Sequence, residues 1–323
     1  MQDRVRLFLF TRERRNEMSK ILATICISLF LVVIYSVNAS SQPKAKFDIG
    51  FTYTGESENE DSLIDTEIQR TLVWLSGSAP IAIGNGHHLI LGVEYKGQLV
   101  EYDDFRPVLF PPIVGGNLIT EDDLPEDLHA LDVSIGLLWS WSEAWSTLFQ
   151  FKPGIHSDFE DIDGDDLMFT GTVLAQRKFG TRNRFGLGIT YSDSFGEPEV
   201  FPLGLLDWYP TEKWYVEALL PLNVDVGYKI SQSISAGVEG KLQGYQYRLT
   251  EDRPWDESVL NYREVRIGPF LDATLWGNAH LRLSAGLVTA QEFEVRDEDN
   301  DDEIVDGDYE NTAYATIKLY ISF

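Results

Sequence analysis

The acidic runs are the part of this sequence whose residue types and spacing come closest to a chemical site. Residues 297–308 read DEDNDDEIVDGD, and residues 161–166 read DIDGDD. Carboxylates at alternate positions place oxygen atoms where a calcium-binding loop has its ligands. The first run therefore gives a candidate Ca²⁺ site formed by Asp297, Asp299 and Asp301, and the sequence suggests no other cofactor.

Both runs depart from the calcium-loop pattern at the positions that matter most. In the first run Asp302 takes the place of the required glycine, and Asp308 replaces the bidentate Glu. In the second run Thr172 stands where that Glu belongs. Two alternatives are solvated, like-charged loops and loops whose divalent ions bridge to the phosphates of lipopolysaccharide.

Catalytic chemistry has little support in the sequence. The five histidines are scattered: His87 and His88 share one short turn, His280 lies by another, and His129 and His156 lie near loop ends. A hydrolase needs a nucleophile or an activated water beside an oriented base, and no G-x-S-x-G, H-E-x-x-H or paired-carboxylate spacing is present. We therefore predict that the protein is not an enzyme.

The elements that would position any site are β-strands, and the last residues show this best. From Ala313 to Phe323 the odd positions are apolar and the even positions are polar or amphipathic. This period of two predicts a strand with one apolar and one polar face. A final strand ending in Phe is typical of outer-membrane β-barrels, in which that end is the assembly signal. We assign that role to Phe323, with the barrel-assembly machinery as its partner.

The N-terminal region predicts a cleaved signal peptide over residues 1–39. Met18–Lys20 give a short basic segment, Ile21–Tyr35 an apolar core, and Val37–Ala39 a cleavage pattern. Residues 1–17 are interpreted as a spurious upstream start or an extended basic region. The barrel then occupies residues 40–323 as one domain, and because the single cysteine, Cys26, lies in the signal peptide, the mature chain has no disulfide.

Alternating segments recur along the chain and predict an antiparallel transmembrane β-barrel of meander topology. Short turns alternate with longer, mostly acidic loops, as in outer-membrane barrels. Counting the segments gives about fourteen strands, with twelve as the alternative. The count depends on 214–231, which we interpret as two short strands split at Pro221. A secreted β-sandwich is the structural rival, but its strands need not be this long.

The polar faces of the predicted strands give a set of charged side chains that would line the lumen. It contains eight basic and six acidic residues, and this near balance argues against a strongly selective ion pore. The predicted lumen-lining residues are Lys46, Asp48, Glu94, Lys96, Asp132, Lys152, Arg184, Glu239, Lys241, Glu264, Arg266, Asp272, Arg282 and Lys318. The full chain has a net charge of −26, so nucleic acid is a poor partner.

One segment resembles a family of outer-membrane β-barrels of unknown function. The resemblance is carried by LDWYPTEKW at 206–214, by Leu220-Pro221, by VGYKIS at 226–231 and by GYQYRL at 244–249. It implies the barrel fold and a location in the cell outer membrane of a Gram-negative bacterium. It implies no substrate and no catalytic residue.

Two functions follow as hypotheses. The first is a passive or weakly selective channel for small solutes or apolar compounds, in which the long loop 103–128, with the apolar run FRPVLFPPIVGGNLI, folds in as a constriction. The second is a closed structural or adhesive barrel whose acidic loops bind divalent cations, lipopolysaccharide or a partner.

Overall fold

The computed structural model describes residues 44–59, 67–103, 108–109, 118–119, 125–159, 162, 164, 166–193, 198–249, 258–297 and 303–323. The strands are β1 (Lys46–Glu58), β2 (Glu67–Gly84), β3 (His87–Asp103), β4 (Val108–Leu109), β5 (Leu118–Ile119), β6 (Asp127–Ser140), β7 (Trp145–Ser157), β8 (Leu167–Phe179), β9 (Asn183–Ser192), β10 (Glu199–Trp208), β11 (Trp214–Leu220), β12 (Asn223–Lys229), β13 (Ile234–Arg248), β14 (Ser258–Trp276), β15 (Ala279–Asp297), β16 (Glu303–Tyr309) and β17 (Thr312–Ser322). No helix in these ranges is long and apolar enough to cross a membrane.

These strands form one closed antiparallel barrel with a wall of fourteen strands. Each wall strand pairs with the next along the chain, and β17 pairs with β1 to close the ring. β16 and β17 are two halves of the last wall strand, because both pair with β15. β4 and β5 form a separate two-stranded ladder inside the long loop between β3 and β6. The predicted meander of fourteen strands is confirmed.

The segment on which the strand count depended is a tight hairpin. β11 and β12 have seven residues each and are joined by a turn at Pro221 and Leu222. Proline has no N–H to donate to a ladder, so it fits a turn better than the middle of a strand. The split therefore keeps the number of wall strands even.

The outer face of the wall is an apolar belt. Alternate side chains such as Ile49, Phe51, Ile135, Leu187 and Ile267 are exposed. Since exposed apolar patches on this scale are costly in water, the belt is the surface that contacts membrane lipid. Six tryptophans lie beside the short turns and are all exposed: Trp139, Trp141, Trp145, Trp208, Trp214 and Trp276. Indole rings favour the membrane–water boundary, so these residues mark one edge of the belt.

The belt makes a depth-dependent prediction on β14. Leu271 and Leu275 both face outward and are exposed, but Leu275 lies near the short turn at Gly277. We expect Leu271→Lys to lower the free energy of unfolding in lipid by about 2–4 kcal/mol and Leu275→Lys by roughly 0–1 kcal/mol. Urea titration of the two variants in the same vesicles measures the difference. Equal losses at the two depths would contradict the position of the belt.

Above the belt, toward the long loops, the polarity of the wall is reversed. Here the inner face is apolar and aromatic, and it forms the main buried core of the molecule. Its members come from β2, β3, β6, β13, β14, β15 and β16, with Leu249 directly after β13: Ile68, Leu72, Val100, Tyr102, Leu128, Ala130, Tyr245, Tyr247, Leu249, Leu260, Tyr262, Phe293, Val295 and Tyr309. We call this set the central plug. Side chains of the central plug therefore fill the barrel interior between these strands, at the long-loop end.

The end of the β13–β14 hairpin is folded inward. Beyond Leu242, β13 has no partner on β12, and its last residue instead bridges to β7 at Arg248 and Ser157. We call residues 243–249 and 258–264 the hairpin end. Its β14 part is buried on both faces, with Leu260 and Tyr262 on one face and Val259 and Asn261 on the other. The hairpin end thus separates the sector of the central plug from the sector enclosed by β8–β12.

Candidate functional site: charged networks on the inner face

One cluster on the inner face joins two strands, β2 and β14, that are not neighbours in the wall. Glu264 on β14 is fully buried and accepts a hydrogen bond from Arg70 Nη2 of β2 at 3.2 Å. Its other carboxylate oxygen lies 2.5 Å from Arg266 Nη2. Tyr262 donates its hydroxyl to the same carboxylate at 2.5 Å, and the Arg70 guanidinium lies over the Tyr262 ring. Glu264 and Arg266 are among the predicted lumen-lining residues, whereas Arg70 is not.

A bulge in β15 completes this cluster. Ala290 has a φ of 49°, and the extra residue shifts the side chains that follow to the opposite face. Gln291 therefore points inward, where its Oε1 accepts from Arg70 at 2.5 Å and its Nε2 donates to Ser57 Oγ at 3.0 Å. Unbroken alternation predicts Glu292 on the inner face, and that prediction is wrong. Glu292 is 53% exposed and lies 3.7 Å from Arg263, on the face opposite the central plug.

A second cluster lies on β3, β6 and β7. Lys152 Nζ is 3.2 Å from Asp132 Oδ2 and 3.4 Å from Glu94 Oε2. Lys96 lies 3.5 Å from the other oxygen of Glu94. His156 Nε2 is 3.0 Å from Asp132 Oδ1, and its Nδ1 is 3.2 Å from the backbone carbonyl oxygen of residue 246. His156 therefore ties this cluster to the hairpin end, a role that its position near a loop end did not reveal.

A third cluster spans β12 to β15 nearer the short turns. Arg282 contacts three carboxylates: Asp225 at 2.5 Å, Asp272 at 3.2 Å and Glu239 at 3.4 Å. Lys241 Nζ lies 3.0 Å from Glu239 Oε1. Since these groups come from four neighbouring strands, the cluster braces the wall on the side where β12 is short.

The other predicted residues form separate pairs or stand at the rim. Lys318 Nζ lies 2.9 Å from Asp48 Oδ1, across the β1–β17 seam. Arg184 Nε donates to Asp207 Oδ2 at 2.6 Å. Lys46, the first residue of β1, is exposed.

The inner face therefore carries charges that are matched locally. Each network described above contains both carboxylates and cations within 4 Å of each other. A local balance of this kind leaves no dominant sign of charge along the wall. The negative net charge of the chain must then lie mainly outside these networks.

Comparison with known proteins adds the family. Residues 117–314 match the family described as Domain of unknown function (DUF6268). The chain belongs to this family. The match includes the whole of 206–249, the segment on which the resemblance to an uncharacterised outer-membrane barrel family rests, and it confirms that assignment. None of the curated protein sequences matches the DUF6268 barrel.

Solved structures similar to the DUF6268 barrel include outer-membrane barrels, at low identity. An outer membrane channel from Pseudomonas putida F1 is 9% identical with a TM-score of 0.41, covering 89% of this chain and 98% of that one. A deletion mutant of TodX, a monoaromatic hydrocarbon channel, is 9% identical with a TM-score of 0.41, covering 87% and 90%. The translocator domain of the autotransporter NalP from Neisseria meningitidis is 8% identical with a TM-score of 0.35, covering 95% and 98%.

The DUF6268 barrel resides in the outer membrane. The closed antiparallel wall with its apolar outer belt is the architecture that such a location requires. The unpaired backbone groups of an open sheet edge would find no hydrogen-bond partner in the membrane.

The predicted Ca²⁺ site of the DUF6268 barrel remains a prediction. Asp299 and Asp301 lie outside the described residues, and Asp297 is the last residue of β15. Within the described ranges, no group of three or more His, Cys, Asp or Glu side chains could hold a metal ion.

Proposed function

We propose that the protein is a narrow, passive channel of the outer membrane with weak charge selectivity. The observation that carries this proposal is the local matching of charge on the inner face, because a strongly selective ion pore needs a lining of one sign. The central plug limits any passage to small molecules, since Tyr247, Leu260 and Leu128 are fully buried inside the barrel.

The long loop between β3 and β6 is proposed as a further constriction. The short ladder of β4 and β5 is the only part of residues 104–124 that the structure describes. An apolar loop with three prolines is costly on a wet surface, so it favours packing across the mouth of the barrel. Deleting 104–124 leaves β3 and β6 intact and tests this role.

Conductance in planar bilayers tests the proposal. We expect small single-channel currents with similar permeability for K⁺ and Cl⁻, and larger currents after deletion of 104–124. The absence of current from both the full-length and the deleted barrel would refute the channel. A strong preference for one ion would refute the weak selectivity.

A closed structural or adhesive barrel is the second candidate, and the central plug is the observation that favours it. In that case the acidic loops would bind divalent cations, lipopolysaccharide or a protein partner, and no variant would conduct. Binding of Ca²⁺ measured by calorimetry, with Asp299→Asn and Asp301→Asn as controls, tests that alternative. Neither candidate is enzymatic.

Recognition by the barrel-assembly machinery is proposed for the C-terminal strand. The Phe323 backbone N–H donates to the carbonyl of Ala45 at 2.9 Å, and its ring packs against Ala45 and Ala79. In the finished barrel the last residue is thus tied to the start of β1, so any role as an assembly signal precedes closure.

A further inference from the structure

Two amide side chains on the hairpin end carry buried polar atoms that have no partner. Gln246 and Asn261 lie directly opposite each other on β13 and β14, so their side chains share one face. Asn261 is 6% exposed, and neither its Nδ2 nor its Oδ1 has a hydrogen-bond partner among the described residues. The Oε1 of Gln246 is likewise buried and unpaired. Leaving three buried polar atoms unpaired costs free energy, which indicates that a polar partner binds at this position.

The pairing of the strands shows which sector of the barrel the face with Gln246 and Asn261 lines. Tyr245, Tyr247 and Tyr262, on the opposite face, belong to the central plug. The face with the amides is turned the other way, toward the sector that β8–β12 enclose. A contact supports this orientation, because Glu199, the first residue of β10, lies 3.9 Å from Arg263 on the amide-bearing face of β14.

The wall that encloses this sector is lined by hydroxyls and glycines on β8 and β9. Thr172 and Thr190 are hydrogen-bonded through their hydroxyls at 2.9 Å, and those of Thr170 and Ser192 are 3.4 Å apart. The same face of β9 continues with Gly186 and Gly188, which add no side chain. From Thr170 to Leu174 on β8, and from Gly186 to Ser192 on β9, the inward positions carry no charge.

We propose that this sector, rather than the plugged centre, is the solute path, and that Gln246 and Asn261 are its binding site for small neutral polyhydroxy molecules. The proposal rests on the channel function proposed above and names its substrate class. We call this the amide–hydroxyl site, formed by Gln246, Asn261, Thr170, Thr172, Thr190 and Ser192.

The chemistry of the site selects this class. Amides and hydroxyls both donate and accept hydrogen bonds, as the hydroxyl groups of a sugar or polyol do. The charged side chains that border this sector are paired with each other: Arg263 lies 3.9 Å from Glu199 and 3.7 Å from Glu292, and Arg184 lies 2.6 Å from Asp207. An ionic solute would therefore lose its water without meeting an unpaired opposite charge. An apolar solute would leave the amides unpaired. The proposed substrate class is therefore narrower than the class of small solutes or apolar compounds that the sequence alone suggests.

Uptake into proteoliposomes tests the site with arabinose as the neutral probe and arabinonate as its charged counterpart. The full barrel should admit arabinose faster than arabinonate. The double variant Gln246→Leu with Asn261→Leu should reduce arabinose uptake by at least about fivefold, the effect of roughly one lost hydrogen bond. Thr172→Val with Thr190→Val should reduce it in the same direction.

A matched hydroxyl pair provides the control. Thr52 and Thr316 are buried and hydrogen-bonded at 2.8 Å on the other side of the barrel, so Thr52→Val with Thr316→Val makes the same chemical change outside the proposed path. This control should take up arabinose at the normal rate. Equal effects of the two threonine pairs, or unchanged uptake in the leucine variant, would overturn the site and leave the amides as a place for ordered water only.

A second readout does not depend on transport. An Asn261→Cys variant has a single thiol in the predicted mature chain, since Cys26 lies within residues 1–39. Arabinose should slow modification of that thiol by a neutral reagent, whereas arabinonate should not. A barrel that conducts ions while arabinose neither enters nor protects the thiol refutes the site alone. A barrel that passes no solute, with no protection, refutes both the site and the channel.

Discussion

Glu264→Gln should lower the free energy of unfolding by about 3–5 kcal/mol, the cost of leaving buried charges without their partner. The Glu264 carboxylate is 0% exposed and is the shared counter-ion of Arg70 and Arg266, which are themselves buried. A neutral amide can still accept a hydrogen bond, but it removes the charge that both guanidinium groups face. Urea titration of the barrel in lipid vesicles measures the loss.

Glu292→Gln is the matched control for this change. Glu292 lies on neighbouring β15, on the face opposite the central plug, at 53% exposure, with Arg263 at 3.7 Å. Exposed ion pairs contribute about 0–1 kcal/mol, so this variant should remain close to the parent. A loss at Glu264 no larger than that at Glu292 would show that the inner cluster does not hold the two sides of the barrel together.

Tyr247→Ala combined with Leu128→Ala should raise the single-channel conductance. Both side chains are fully buried members of the central plug, on β13 and β6, and their truncation removes packed volume from the long-loop end of the barrel. The same change should cost stability, about 2–5 kcal/mol for each large side chain removed. Planar-bilayer recordings measure the first effect and urea titration the second.

The control for this change is a tyrosine that points outward. Tyr53 is 40% exposed on the lipid-facing side of β1, so Tyr53→Ala removes an aromatic ring without touching the interior. It should leave the conductance unchanged. If neither the parent barrel nor the folded plug variant passed any current, the closed barrel would become the better account of the protein.

The belt and the strand count could be predicted because a membrane imposes a simple rule on them. Within the hydrocarbon, outward positions must be apolar, and the inner positions hold most of the polar groups. Ile49 and Phe51 against Asp48 show this rule directly, and so do Ile267 and Leu271 against Asp272. The even number of strands follows from a meander that starts and ends on the same side.

Above the belt the rule no longer applies, and the predictions stop there for that reason. Ile68 and Leu72 point inward while Gln69 points outward, because water now lies outside the wall and the core lies within. Arg70 was overlooked because its inward neighbours are apolar. Assigning apolar residues to the lipid side therefore fails for this part of β2.

The alternation of apolar and polar residues predicts neither the bulge in β15 nor the inward fold of the hairpin end. A single extra residue at Ala290 exchanges the faces of everything after it, and no glycine at that position signals the change. The meeting of β7 and β13 joins segments far apart in the chain. The proposed amide–hydroxyl site depends on that meeting, so its residues could be predicted as polar strand positions but not as facing one sector of the barrel.

The seam between β1 and β17 sets the order of assembly. Thr52 and Thr316, hydrogen-bonded across it, are 264 positions apart in the chain. All other neighbouring wall strands can pair soon after they are made, but this last ladder has to wait for the C-terminal residues. Until then the growing sheet carries two bare edges, each able to recruit a foreign strand. The proteins that accompany the chain must therefore shield those edges. Insertion into the membrane cannot finish before translation of the last strand has ended.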